Sequence, residues 1–145
     1  MYGFLHFMLA HFVTAFLFYL NHRFVFHGKI GKSGLLASWK MVHTRHHKVD
    51  YGPNFKKYAM IPWWGWPIIA AVCYTIGLVA SSFVGGGVFS YFLAYEIKHY
   101  KLHKHVDVRD RMARFHYYHH RKSAKKNYAT IWSFIDRVFG TYHAH

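Results

Sequence analysis

Ten of the fifteen histidines in this chain of 145 residues fall into four short groups whose spacing suits metal binding. Imidazole is a common ligand of iron, zinc, copper and nickel. We call these groups histidine boxes one to four, and their spacings are HxxxxH, HxxHH, HxxxH and HxxHH. The pattern indicates a two-metal site. Its members are His22 and His27; His43, His46 and His47; His99 and His103; and His116, His119 and His120.

Helical geometry explains how the residues of one box could share a metal. Residues at i and i+4 lie about 40° apart around an α-helix, and residues at i and i+3 about 60° apart in the other direction. HxxxH and HxxHH therefore place their imidazoles on one face, so that one turn can present two or three ligands to a centre. His22 and His27 are about 140° apart on a regular helix. Either the helix loosens near Gly28, or the two rings face different metals.

The five other histidines are not predicted to bind metal. His105, His143 and His145 occur in a basic polar segment or at the terminus, and we expect them to be solvated. His6 and His11 lie in an apolar segment, where an ionisable group is a candidate for function. For His11 we favour a packing or interface role.

Charged residues are strongly segregated along the chain. Its net charge is +14, yet 53% of its residues are hydrophobic. Residues 1–20 and 59–95 contain no Lys, Arg, Asp or Glu. The first of these segments is about as long as one membrane span, and the second about as long as two. We expect the second to be a hairpin that turns at Ser81-Ser82 or at Gly85-Gly86-Gly87.

The distribution of basic residues predicts which side of the membrane the boxes occupy. Residues 21–58 carry eight of the nineteen Lys and Arg, and residues 96–145 carry the other eleven. With one span followed by a hairpin, both basic blocks, all four boxes and the C-terminus lie on one side, which the positive-inside rule makes cytoplasmic. We therefore predict an all-α integral membrane protein with about three transmembrane helices and a cytoplasmic helical cap, built as a single domain over 1–145.

Other classes of protein fit the sequence less well. The apolar N-terminus lacks the basic region and the small-residue cleavage site of a signal peptide. No motif for nucleic-acid binding accompanies the basic residues, so we expect no nucleic-acid partner. The single Cys73 excludes a disulfide within the chain and a cysteine metal cluster. Only five acidic residues are present, which argues against a carboxylate di-iron bundle.

The boxes and their surroundings resemble the fatty acid hydroxylase superfamily, and within it the fatty acid 2-hydroxylases. The sequence departs from the usual family pattern at Phe18, where relatives commonly have Glu, and at Ile135, where they commonly have Trp. The matching motifs are NHRFVFH at 21–27, HTRHHK at 43–48, YEIKHYKLH at 95–103, HYYHH at 116–120 and DRVFGT at 136–141.

This resemblance implies a membrane-bound monooxygenase in which the ten box histidines bind two iron ions, with zinc as a possible substitute in a purified sample. It implies hydroxylation of a lipid acyl chain, at C2, with dioxygen and a separate electron donor that is cytochrome b5-like or ferredoxin-like. Carboxylates often orient the second N–H of a metal-bound histidine. The candidates for that role are Glu96, Asp136 and Asp107, although Glu96 could equally cap a span and Asp136 could pair with Arg137.

Two alternatives remain open at this point. One is a di-iron desaturase, or a hydroxylase of a sterol or carotenoid. The other is a non-enzyme, either a histidine-rich metal-binding or transport protein or a bis-histidine haem protein. Transport would require polar ligands along the membrane interior, which 59–95 does not offer. Aromatic residues such as Trp63, Trp64, Trp66 and Tyr91 could line an acyl tunnel, but we interpret the three tryptophans as an interfacial aromatic belt.

Overall fold

A computed structural model of the chain describes residues 2–49, 51, 55–104 and 109–144. All regular elements in these ranges are helical, which confirms the predicted all-α class. A π-helical turn, Asn21–Phe26, continues directly from the first α-helix, and a 3₁₀ turn, Ile30–Lys32, precedes the second. The α-helices are α1 (Tyr2–Leu20), α2 (Leu36–Lys48), α3 (Phe55–Ala59), α4 (Gly65–Val79), α5 (Ser82–Lys104), α6 (Arg111–Arg121) and α7 (Phe134–Val138).

Helices α1 and α5 pack side by side and run parallel. The contacts between them advance in the same direction along both helices. Both helices therefore reach the same end of the molecule, where α1 leads into His22 and α5 carries His99. The pairs in contact are Gly3 with Phe83, Phe7 with Gly87, His11 with Ser90, and Phe18 with Tyr95.

Helix α4 reaches α5 through a short connection at residues 80–81 and packs against it. The glycine triplet, which was one of the two predicted turn sites, lies inside α5 instead. There the glycines allow close packing of backbones. A Cβ on Gly85 would lie 2.3 Å from the carbonyl oxygen of Cys73 on α4, and a Cβ on Gly87 would lie 2.3 Å from that of Phe7 on α1.

Within the described ranges, one helix is long and apolar enough to cross a membrane. It covers Tyr2–Phe26, and few of its apolar side chains are buried inside the protein. Helix α4 is also apolar but has only 15 residues. At about 1.5 Å per residue it is about 22 Å long, which is less than the hydrocarbon thickness of about 30 Å. Trp63 and Trp64, just before α4, are exposed, as expected for an interfacial position.

A polar network joins α1, α5 and the segment after α6. The Trp132 indole N–H donates to Nε2 of His11 (3.3 Å), so the hydrogen of a neutral His11 ring is on Nδ1. That nitrogen lies 2.8 Å from the Ser90 hydroxyl, which itself donates to the Gly87 carbonyl at 2.7 Å. Every polar atom of His11 is thus satisfied without a charge, which agrees with the packing role expected for it.

Candidate metal centre

The ten box histidines meet at the end of the molecule that α1 and α5 share, and they form two clusters. The ligand nitrogens of each cluster all lie within 4.8 Å of one another. Rings of the two clusters touch, because His47 and His120 stack with centroids 4.0 Å apart. The first cluster comprises His22, His27, His43, His47 and His119, and the second comprises His46, His99, His103, His116 and His120.

Each HxxHH box is divided between the two clusters. Helix α2 presents His43 and His47 to the first cluster and His46 to the second. Helix α6 makes the reciprocal contribution, since its His119 belongs to the first cluster. The second histidine of HxxHH, at i+3, points about 60° from the first and about 100° from the third, so it diverges from the pair at i and i+4. A box therefore supplies two ligands to one cluster, and not the three that a single face would allow.

The two histidines of box one reach the same cluster because the helix loosens between them. Asn21–Phe26 is a π-helical turn, and the His27 backbone N–H donates to the His22 carbonyl at 3.1 Å. This is the i to i+5 bond that defines a π-helix, and such turns are frequent at functional sites. Of the two arrangements that the sequence left open, the structure has the loosened helix.

Backbone carbonyls fix the orientation of two rings in the first cluster. Nδ1 of His22 lies 2.7 Å from the Tyr128 carbonyl oxygen, and Nδ1 of His119 lies 2.7 Å from that of Lys126. A carbonyl can only accept, so both neutral rings carry their hydrogen on Nδ1 and a lone pair on Nε2. These two Nε2 atoms are only 3.1 Å apart. Two lone pairs that face each other this closely repel unless a cation lies between them, so the arrangement fits a metal ion.

The second cluster has the same features. Nδ1 of His99 donates to the Ala59 carbonyl oxygen at 2.9 Å, which leaves Nε2 available as a ligand. That Nε2 lies 3.0 Å from Nε2 of His103, which lies 2.8 Å from Nε2 of His116. Nδ1 of His46 is buried and has no hydrogen-bond partner among the described residues. A buried imidazole nitrogen without a partner is costly, and a bound metal ion would satisfy it.

The surroundings keep these imidazoles uncharged. Burial lowers the pKa of His27 to about 3 and the pKa of His47 to about 4. Burial, together with the repulsion between neighbouring imidazoles, lowers the pKa of five other box residues well below the usual 6.5. Neutral imidazole is the form that binds metals, so the rings are ready for ligation at neutral pH. The five residues are His43, His46, His116, His119 and His120.

The two carboxylates predicted to orient histidines contact backbone N–H groups instead. Asp136 is 1% exposed and accepts from the backbone N–H of Tyr128 (2.8 Å) and of Ala129 (2.9 Å). Glu96 accepts from the backbone N–H of Ile61 through both oxygens, at 3.1 and 3.2 Å. Arg137 does not pair with Asp136 but lies over the Tyr142 ring, 4.1 Å from its centroid. Asp107 lies outside the described residues.

A small cavity separates the clusters from the apolar helices. Its volume is about 10 Å³, roughly enough for one water molecule. Six box histidines from both clusters line it together with aromatic side chains. A second cavity of similar size shares Phe18 and Thr130 with the first and extends between α1, α5 and residues 128–135. The non-histidine lining of the first cavity is Phe18, Phe26, Tyr95 and Thr130.

Comparison with known proteins identifies the family. The family model described as fatty acid hydroxylase matches residues 7–141. The chain belongs to the fatty acid hydroxylase family. It is similar to two curated proteins of Arabidopsis thaliana, both named dihydroceramide fatty acyl 2-hydroxylase. The first is 28% identical over 140 residues, covering 90% of this chain and 57% of the relative.

The second relative is 29% identical over 134 residues, covering 85% of this chain and 54% of its own length. The chain thus spans a little over half the length of the curated relatives it matches. No solved structure matches the chain significantly. The membership agrees with the resemblance seen in the sequence motifs, and every box residue falls within the matched range.

Some parts of this candidate metal centre could not be found from side-chain types. The carbonyl oxygens of Ala59, Lys126 and Tyr128 orient ligand rings, yet any residue type has a carbonyl. Asn127, whose φ is positive, is a local signal in the sequence, because asparagine tolerates the left-handed region. His6 and His143 are exposed and lie outside both clusters, whereas His105 and His145 fall outside the described residues.

Proposed function

We propose that this chain is a membrane-bound, non-haem di-iron monooxygenase that hydroxylates a lipid acyl chain. The observation that carries the proposal is the pair of five-histidine clusters that share a cavity lined by aromatic side chains. Hydroxylation at C2 is supported by the names of both Arabidopsis relatives. In this reaction one atom of dioxygen enters the C–H bond and the other leaves as water, which requires two electrons and two protons.

The ligand set favours iron over structural zinc. Structural zinc is almost always bound by four ligands in a tetrahedron, whereas each cluster here offers five imidazoles. Nitrogens about 2.1 Å from one ion lie about 3.0 Å apart at right angles and about 3.4 Å apart in a tetrahedron. The Nε2 atoms in contact are 2.8 to 3.1 Å apart, which suits a centre with more than four ligands. Bound iron would supply the redox chemistry that no side chain can perform on an unactivated C–H bond.

The protein's own residues would position the ligands and exclude water. Carbonyl oxygens hold His22, His99 and His119 with Nε2 toward the metal sites. Phe18 on α1 and Tyr95 on α5 pack against each other with ring centroids 4.6 Å apart, and both line the cavity. Phe18 and Thr130 border both small cavities, and Tyr95 borders the cavity at the clusters. An acyl chain that enters from the membrane side would therefore pass these three residues. The aromatic wall would keep the reacting carbon away from bulk water.

The topology we propose is one span, formed by α1, and a hairpin formed by α4 and the apolar part of α5. The parallel packing of α1 and α5 supports it, because parallel neighbours require a returning segment between them. The basic residues beyond the apolar segments support a cytoplasmic location for the boxes and the C-terminus. The helices around the clusters would then form a cap on the membrane, within a single domain over 1–145. Electrons would come from a separate donor, cytochrome b5-like or ferredoxin-like, on the same side.

Lipid analysis tests this proposal directly. The full chain is expressed beside the double variant His46→Ala, His120→Ala and the control His6→Ala, which changes an exposed histidine outside both clusters. Untargeted mass spectrometry should find acyl chains with one added oxygen at C2 in cells with the wild type and the control, but not with the double variant. A product that has lost two hydrogens would instead establish a desaturase. Unchanged acyl lipids, in a host shown to supply a competent donor, would refute acyl hydroxylation.

A further inference from the structure

The two ring-orienting carbonyls of the first cluster come from one short segment, residues 126–128. Lys126 and Tyr128 flank Asn127, whose φ of 56° lies in the left-handed region. This conformation reverses the chain locally and lets both flanking carbonyls reach the cluster. They accept from His119 and His22 respectively, each at 2.7 Å. We call residues 126–128 the first carbonyl bracket.

Buried polar groups hold this bracket from behind. Asp136 accepts from the Tyr128 backbone N–H at 2.8 Å and also from the Thr141 hydroxyl at 2.8 Å. Asn127 pairs reciprocally with His143, because its amide nitrogen donates to the His143 carbonyl (3.2 Å) and its amide oxygen accepts from the His143 N–H (2.8 Å). The Asn127 N–H also donates to the Thr141 carbonyl at 3.0 Å. The carbonyl that orients His22 therefore belongs to a residue that Asp136 holds directly.

The second cluster has a separate bracket on another part of the chain. The Ala59 carbonyl accepts from Nδ1 of His99 at 2.9 Å. Two residues later, the Ile61 backbone N–H donates to Glu96, which lies one turn before His99 on α5. Glu96 thus holds the chain at Ile61 in register with the helix that carries the oriented histidine. We call residues 59–61 the second carbonyl bracket.

We propose that Asp136 and Glu96 are positioning residues that each serve one metal centre, Asp136 the first cluster and Glu96 the second. This inference rests on the proposed function only in that the clusters hold metal ions. Each carboxylate fixes a backbone segment, the segment fixes a ring tautomer, and the tautomer decides whether Nε2 can bind. The brackets share no residue, so loss of one carboxylate should empty one centre and leave the other filled.

Zinc loading of the purified full chain tests the proposal without requiring turnover. Elemental analysis should find about two zinc ions in the wild type and about one in each of Asp136→Asn and Glu96→Ala, because alanine removes the oxygens that accept from the Ile61 N–H. Diethyl pyrocarbonate, which modifies imidazoles that are not bound to metal, then shows which centre is empty. Peptide mass spectrometry should find new modification of His27 and His43 in Asp136→Asn. In Glu96→Ala it should appear on His103 and His116 instead.

A second variant covers the case in which Asp136→Asn loses its helical circular dichroism. Asn127→Gly keeps a residue that tolerates positive φ but removes the pairing with His143, so it should weaken zinc binding in the first cluster alone. Two retained zinc ions in the carboxylate variants, or equal loss from both clusters, would overturn the proposal. Wild-type protein without zinc would refute the metal centres themselves. Two zinc ions without acyl hydroxylation in cells would refute the reaction and leave the brackets standing.

Discussion

Replacing Gly87 with alanine should weaken the contact on which both clusters depend. A Cβ at this position would lie 2.3 Å from the Phe7 carbonyl oxygen and 2.8 Å from the Ala10 Cβ. Ordinary contacts begin near 3.4 Å, so α1 and α5 must move apart by about 1 Å. Overpacking of this kind costs about 1–3 kcal/mol, which is roughly a 5- to 150-fold change in a folding equilibrium. The separation would also move His22 away from the rings that α5 carries.

The adjacent residue provides a matched control. A Cβ on Gly86 would lie 3.6 Å from the nearest atom, a carbon of the Phe7 ring, which is an ordinary contact. Gly86→Ala should therefore keep wild-type stability and zinc content, and it removes the same conformational freedom from the unfolded chain. Thermal unfolding in detergent micelles and zinc titration measure the two effects. Equal destabilisation by both substitutions, or a stable Gly87→Ala variant, would refute the close-packing argument.

Three further perturbations test the site. His119→Ala should release metal from the first cluster, although His119 lies in the second half of the chain. His46→Ala should release metal from the second cluster, although His46 lies in the first half. Mapping the histidines that diethyl pyrocarbonate modifies distinguishes this exchange from clusters built within each half. Phe18→Trp should narrow the cavity at the clusters and lower product yield at least tenfold with zinc content unchanged, and full activity would argue against passage beside Phe18. Gly28→Ala would place a Cβ 2.1 Å from the Phe24 carbonyl oxygen, so it should disturb the π-helical turn. A zinc titration should then show weaker binding at the first cluster, and wild-type affinity would contradict a role for the π-helical turn in metal binding.

Histidine spacing and apolar segment lengths were enough to predict the helical class and the residues that meet at the clusters. These signals are local, because i to i+4 neighbours share a helix face whatever surrounds them. The division of each HxxHH box between the two clusters was not predicted. It follows from the angle of about 100° between the last two histidines of the box, which points them toward different clusters. The choice depends on which neighbouring helix lies beside each face, and that is a tertiary property. The glycine triplet is a similar case, because its sequence is compatible with a turn. Its place inside α5 follows from the close packing of α1 and α4 against it, which is also a tertiary property.

The carbonyl brackets mark a different limit of sequence reasoning. Their functional atoms belong to the backbone, so the identity of Ala59 or Lys126 says nothing about the hydrogen bond its carbonyl accepts. Only the groups that hold the brackets leave a trace in the sequence, as two carboxylates in a chain with five acidic residues. Asp136 and Glu96 were recognisable as unusual, but the atoms they act through were not.

The exchange of His46 and His119 between clusters has a consequence for assembly. Neither half of the chain can complete a five-histidine centre alone, since each cluster takes four ligands from one half and one from the other. Metal binding at either cluster therefore stabilises the contact between α2 and α6 as well as the local helix turns. Because ligands that are far apart in the unfolded chain meet only in the folded one, the binding free energy of both ions contributes to folding. Each centre should accordingly stabilise the fold through its own binding free energy, and each can fill without the other because the two carbonyl brackets share no residue.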